Sequence, residues 1–123
     1  MSNELNSPVY DLEERTFQFA KNVRKWVKKL PVTIANIEDS KQLVRSSGSV
    51  GANYIEANES FSDKDFVFRV KICKKEAKES GYWLGLILET NENLVEEAVG
   101  KSLLQESIEL KKIFSSIIIK SKL

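Results

Sequence analysis

Six of the seven residues from 46 to 52 are small (Ser46, Ser47, Gly48, Ser49, Gly51 and Ala52), and the chain on both sides of them reads as helix. Glycine in a helix interior costs about 1 kcal/mol relative to alanine, so two within four residues need a compensating cause. A loop whose backbone cradles phosphate is one. A helix whose backbone closely approaches a neighbour is the other. A P-loop needs a preceding strand and a lysine directly after its second glycine, and the segment has neither. A dinucleotide fingerprint needs three glycines in a βαβ unit, which is also missing. Close helix packing remains, within one chain or between chains, because small side chains let two axes approach below the usual distance of about 8–10 Å.

The rest of the chain fits that reading. Leu12, Thr16, Phe19, Val23, Trp26, Val27 and Leu30 recur at three- and four-residue steps and predict a first helix over about 10–29. Pro31 ends it, since proline cannot continue the hydrogen-bond ladder. A second helix is expected over about 33–59, with Thr33 as N-cap. Its apolar stripe reads Ile34, Ile37, Val44, Gly48, Gly51 and Ile55, broken by Lys41. Ser62 and Asp65 form a capping box with aspartate in the glutamate position, opening a third helix over about 63–90. Phe66, Val70, Cys73, Ala77, Gly81, Leu84, Ile87 and Leu88 are its expected core face. The Asn91–Asn93 turn leads to a fourth helix over about 95–121, with Val99, Leu103, Leu110, Ile113, Phe114, Ile117 and Ile118 inward. Residues 1–9 read as a loose leader. Four helices with short connections imply an all-α, antiparallel up-down-up-down four-helix bundle occupying 10–123.

Composition narrows function more than fold. At 123 residues the chain is one domain, able to bury roughly two thirds of its unfolded surface. It has no histidine, which removes the commonest general base and the commonest metal ligand. Cys73 is its only cysteine, so an internal disulfide and a cysteine-rich zinc site are both excluded. The polar N-terminus lacks the apolar core of a signal peptide. The longest apolar run, 82–88, falls far short of the ~20 residues of a membrane span. A cytoplasmic setting with no membrane partner and no cofactor is the expectation.

Several polar groups invite a chemical reading. Glu76 and Glu79 are carboxylates three residues apart, the spacing of a metal-bridging bundle, but such sites also use Glu-x-x-His motifs. A structural role is expected instead, with Arg45 pairing to Glu79 or Glu109 at a helix junction or subunit boundary. Such a pair fixes register more than it adds stability. Arg45, Ser49, Ala52 and Glu56 line one edge of the second helix; Glu76, Glu79 and Trp83 line one edge of the third. The net charge of +1 hides two basic rows. Lys21, Arg24, Lys25 and Lys28 share a face at i, i+3, i+4, i+7, and Lys71, Lys74, Lys75 and Lys78 repeat the spacing. Each row could follow a phosphate backbone, or serve only as a solvated face. Trp26, Tyr54, Tyr82 and Trp83 are candidates for base stacking, with core or interface packing the competing role.

The segment KQLVRSSGSVGANYIEA at 41–57 resembles the signature of the bacterial four helix bundle protein family, also called the 23S rRNA intervening-sequence protein family. Its relatives include the accessory variability determinant of diversity-generating retroelements. Phe19-Ala20, Asp65-Phe66, the run 75–79 leading into Tyr82-Trp83-Leu84, and Glu109-Leu110 extend the similarity over roughly 10–121. The resemblance implies a four-helix bundle that assembles into a ring, typically a homopentamer, with no enzymatic activity. In the retroelement relatives that ring binds a reverse transcriptase and nucleic acid. Within this pattern Arg45, Ser47, Gly48, Ser49, Gly51, Ala52, Asn53, Glu56, Glu76, Glu79, Trp83 and Glu109 are expected to serve packing and assembly. The leading expectation is a homo-oligomeric scaffold that contacts RNA, DNA or a nucleoprotein partner through the two basic rows. The alternatives are a protein–protein adaptor and, more remotely, a carboxylate-bridged metal bundle.

Overall fold

The computed structural model describes residues 12–121. Four helices follow in order: α1 (Leu12–Val27), α2 (Ile34–Asn58), α3 (Asp63–Thr90) and α4 (Glu97–Ser121). Each packs against the next, and α4 closes back onto α1; α1 and α3 stand diagonally opposite, as do α2 and α4. This is the expected antiparallel four-helix bundle. The seams α2–α3 and α3–α4 are the most extensive, while the short α1 is held most lightly. The expected leader, 1–9, and the first residues of the first predicted helix lie outside the described residues.

Local chemistry sets most helix ends. Thr33 Oγ1 accepts the Asn36 amide at 3.1 Å to start α2, and Ser62 Oγ accepts the Asp65 amide at 3.1 Å to start α3. Two ends differ from expectation. α1 stops at Val27 because the next amides tighten into i→i+3 bonds, Lys29 to Trp26 at 3.0 Å and Leu30 to Val27 at 3.2 Å, before Pro31. α4 begins at Glu97 rather than 95. Asn93 and Glu96 adopt left-handed backbone, φ 54 and 57, which no right-handed helix can include. The Glu96 carbonyl then takes the first helical amide, from Gly100 at 3.3 Å, and also accepts the Trp26 indole N–H at 3.1 Å.

The core runs the length of the bundle through Leu12, Phe19, Val23 and Trp26 of α1, Leu43, Val50 and Tyr54 of α2, Val70, Cys73, Leu84 and Ile87 of α3, and Leu103, Leu110 and Phe114 of α4. Tyr54 and Phe114 pack at 5.9 Å between ring centres. Helix α2 corrects the stripe expected of it. Ile34, Ile37 and Ile55 are 85%, 42% and 44% exposed, and the buried face is Asn36, Leu43, Ser46, Ser47, Val50, Tyr54 and Ala57. Serines occupy core positions there because their hydroxyls bond back to the preceding turn or across the seam. Ser46 and Ser80 share a hydrogen bond at 2.9 Å between α2 and α3, and Ser47 donates to the Val44 carbonyl at 3.3 Å. On α4, Val99 is 37% exposed rather than inward, and Gly100 takes the buried position beside it.

At one end of the bundle the two loops are tied together. The Asn36 and Asn91 side-chain amides exchange hydrogen bonds, 2.9 Å each way, and donate further to the carbonyls of Pro31 and Ile87 at 2.9 and 2.8 Å.

Candidate functional site

The structure separates residues that the sequence grouped. Arg45 lies on the α2–α3 seam, where its guanidinium pairs with Glu79 and, at 3.4 Å, with Glu76. The hydrogen bond that Arg45 donates to Glu79, followed by the attraction of both carboxylates, raises the arginine pKa beyond its already high value. Glu109 is not a partner. It stands on α4, diagonally across the bundle from α2, and accepts from Gln105 at 2.8 Å. The α1–α4 junction carries its own pair instead, Arg15 to Glu106, bidentate at 2.7 and 2.8 Å. Because Arg45 occupies both carboxylates of the Glu76/Glu79 pair, their arrangement is that of an ion-pair junction. Among the described residues no three carboxylate or thiol groups come together as a metal site would require. Cys73 is buried, and loss of solvation pushes its thiol up to about 12, far from a reactive thiolate.

The glycines of α2 face α1 in two different ways. A Cβ on Gly51 would lie 2.9 Å from Thr16 Oγ1, so that position is a close helix approach. A Cβ on Gly48 would meet only the tip of the Arg24 side chain, at 3.0 Å. Arg24 uses the notch to reach across and donate to the Val44 carbonyl at 3.2 Å, and to its own helix at Ala20, 3.1 Å. Arg24 is therefore a clasp between α1 and α2, not an uncommitted cation of the first basic row. Ser49 and Asn53 turn toward α3: Asn53 Nδ2 donates to Ser49 at 2.9 Å and its carbonyl oxygen accepts from Arg69 at 3.4 Å. Ala52 and Glu56 are exposed.

The two basic rows have different surroundings. Lys21, Lys25 and Lys28, with Arg24, rim an open groove of about 560 Å³ between α1 and α2, over Gly48 and Gly51. Its walls are apolar, with Phe17 62% and Ile55 44% exposed. The second row lies on the outer face of α3. There Lys71, Lys75 and Lys78 are exposed and Lys74 is half-buried toward the side. Two aromatics missed as members of this row bracket it: Phe68 and Tyr82, 60% and 61% exposed. Positions 68, 71, 75, 78 and 82 advance by three and four, so they fall on one helical face spanning about 21 Å. None of these lysines has a carboxylate partner within ion-pair distance among the described residues. The signal was present in sequence as two aromatics in register with lysines, but their exposure depends on which way α3 is turned in the bundle.

Tyr82 is braced from behind. Its ring stands edge-on to Trp83, centres 5.0 Å apart at 80°. The Trp83 indole N–H donates to Glu79 at 3.3 Å, and Glu79 is held by Arg45. The junction expected for packing thus ends at one side of the exposed row. The remaining aromatic candidates are committed to the interior: Trp26 is 1% and Tyr54 8% exposed.

Comparison with known proteins agrees with this architecture. The family model described as 23S rRNA-intervening sequence protein matches residues 10–116. A similar solved structure is that of a protein with unknown function from the S23 ribosomal protein family of Bacteroides thetaiotaomicron. It is 34% identical, with 86% of this chain and 96% of that chain covered and a TM-score of 0.73. No curated protein matches the sequence. Among the described residues no helix is long and apolar enough to cross a membrane.

Proposed function

The chain belongs to the 23S rRNA-intervening sequence protein family, and from that premise we propose that it is a non-enzymatic, homo-oligomeric scaffold that holds single-stranded nucleic acid along the outer face of α3. The observation that carries the reading is the row Phe68, Lys71, Lys75, Lys78, Tyr82, with both aromatics more than half exposed. Single-strand binding combines cations that follow the backbone with aromatic faces on which bases stack, and it tolerates any sequence because every base offers a π-face. At about 3.4 Å per phosphate along a stacked strand, a row of about 21 Å matches roughly six nucleotides. A duplex would engage the lysines but offer no base to Phe68 or Tyr82. Assembly as a ring, a pentamer by the resemblance, would repeat the row around the particle. The Arg45–Glu79–Trp83 brace would then set how firmly Tyr82 is presented.

The test is binding of a labelled oligo-U or oligo-dT to the full chain across a salt series. The expected result is affinity that falls with salt, at about −0.7 in log–log slope per phosphate neutralised. Phe68→Ala and Tyr82→Ala should each weaken the single strand by about 1–3 kcal/mol and leave duplex affinity nearly unchanged. Lys71→Glu with Lys75→Glu and Lys78→Glu should abolish both. Single-strand affinity that is unchanged in the aromatic variants, or that falls no more than duplex affinity does, would reject the stacking role.

The apolar walls of the α1–α2 groove favour a second role, contact with protein, at the other basic row.

A further inference from the structure

We infer that the α1–α2 groove receives the α2–α3 tip of a second copy of this chain, with Phe61 entering the groove and the carboxylates around it meeting Lys21, Lys25 and Lys28. This rests on the homo-oligomeric reading above and names the surfaces that would make it.

The groove is a site for an apolar insert with acidic flanks. Its walls are Phe17, Ala20, Ala52 and Ile55, its base is the glycine pair 48 and 51, and its rim is basic. The one carboxylate lining it, Glu13, accepts from Asn58 at 2.7 Å and lies at one end. Lys21, Lys25 and Lys28 have no ion-pair partner among the described residues. A purely electrostatic surface would have no use for the exposed Phe17 and Ile55, and the aliphatic walls, Ile55, Ala20 and Ala52, offer a base no ring to stack on.

The same chain carries the complement. Phe61, in the connection between α2 and α3, is the most exposed large apolar side chain described, at 103%. Exposed carboxylates surround it in sequence: Glu56 and Glu59 before, Asp63 and Asp65 after, with Lys64 the single cation among them. Asp63 and Asp65 have a local cause, since the first turn of α3 favours negative charge. Glu56 and Glu59 have none. They lie at the C-terminal end of α2, where the helix dipole disfavours carboxylates, and that last turn holds no basic residue to offset them. Neither has an ion-pair partner among the described residues. An acidic end that is unfavourable within its own helix, beside an aromatic fully in solvent, fits a basic, apolar-walled groove. Because groove and tip are different patches of one chain, the contact is heterologous, the type that closes into rings.

The test is sedimentation equilibrium and native mass spectrometry of the full chain in three charge-reversed forms, read beside the helical melting curve. Lys21→Glu/Lys25→Glu/Lys28→Glu should dissociate the oligomer, and so should Glu56→Lys/Glu59→Lys. Both sets in one chain should restore it in part, since the contacts of Glu56 and Glu59 are then reversed on both sides while Asp63 and Asp65 keep their charge. Phe61→Ser should raise the dissociation constant about ten- to hundredfold while leaving the fold intact, because the wild-type ring touches solvent only. An oligomer that keeps its mass in both singly reversed chains overturns the groove-and-tip contact and leaves the oligomeric reading standing. A wild-type chain that is monomeric at every concentration overturns both. Loss of oligonucleotide binding without loss of mass in the lysine-reversed chain assigns the groove to nucleic acid and overturns the contact.

Discussion

Asn36 and Asn91 form a reciprocal amide pair, each side chain donating to the other at 2.9 Å across the end of the bundle. Asn36 is 3% exposed. The pair joins the start of α2 to the end of α3, and its second donors hold the Pro31 and Ile87 carbonyls. A buried polar group left without a partner costs its full desolvation, about 1–3 kcal/mol.

Asn36→Ala and Asn91→Ala should therefore each lower unfolding stability by about 1–3 kcal/mol. The double variant should cost clearly less than their sum, since the second substitution removes a group already stranded by the first. A double-mutant cycle from urea unfolding measures this directly. Strict additivity would show that the two amides do not act as a unit.

Gly85 and Gly100 should respond oppositely to alanine. A Cβ on Gly100 would sit 2.3 Å from Trp26 Cζ2 and 2.8 Å from Cε2. That indole is buried and tied to the Glu96 carbonyl, so it has no room to yield. Gly100→Ala should destabilise by about 1–3 kcal/mol, the usual cost of overpacking. A Cβ on Gly85 would meet nothing within 4 Å, and Gly85→Ala should stabilise by about 0.5–1 kcal/mol through helix propensity. Thermal melts of the two variants against wild type check both signs.

Cys73 should make the fold sensitive to alkali. Its thiol is raised from 9.0 to about 12 by burial, so the folded state holds its proton after the unfolded state has lost it. The unfolded chain then binds fewer protons, and stability falls as pH rises from about 9 toward 12, by at most about 1.4 kcal/mol per pH unit. Below the unfolded pKa this contribution is flat. Tyr54, raised mainly by desolvation, acts in the same direction, so the comparison is the slope of wild type against Cys73→Ala. At neutral pH a thiol reagent should leave the native protein unmodified and label it once in denaturant. Rapid native labelling would contradict the burial argument.

Much of this architecture was legible because it is local. Thr33 and Ser62 mark helix starts with their own hydroxyls, and Pro31 ends a helix by lacking an amide hydrogen. The period of Leu12, Thr16, Phe19, Val23 and Trp26 fixes the inner face of α1, and Asp65, Val70 and Cys73 place α3 with little ambiguity. The left-handed Glu96 escaped notice because its conformation is held by a contact with Trp26, seventy residues away.

What the sequence determined by itself is an all-α chain of four helices, their order, most of their ends and two basic rows, since propensity, capping and period act within a few residues. The tertiary structure decided which side of each helix counts. In α2 the edge of Ile34, Ile37 and Ile55 stays exposed, and the edge that sets Ser46 and Ser47 among Leu43, Val50 and Tyr54 is buried, because hydroxyls satisfied within their own turn or across the seam can be packed in a core. The diagonal placement of α2 and α4 gave Arg45 to Glu76 and Glu79 and removed Glu109 from its reach. Rotation of α1 and α3 gave two rows of similar sequence different neighbours, apolar groove walls for Lys21, Lys25 and Lys28, and exposed aromatics for Lys71, Lys75 and Lys78. A helix's periodicity is written in its own residues, but its orientation about its axis is set by the packing of all four helices together.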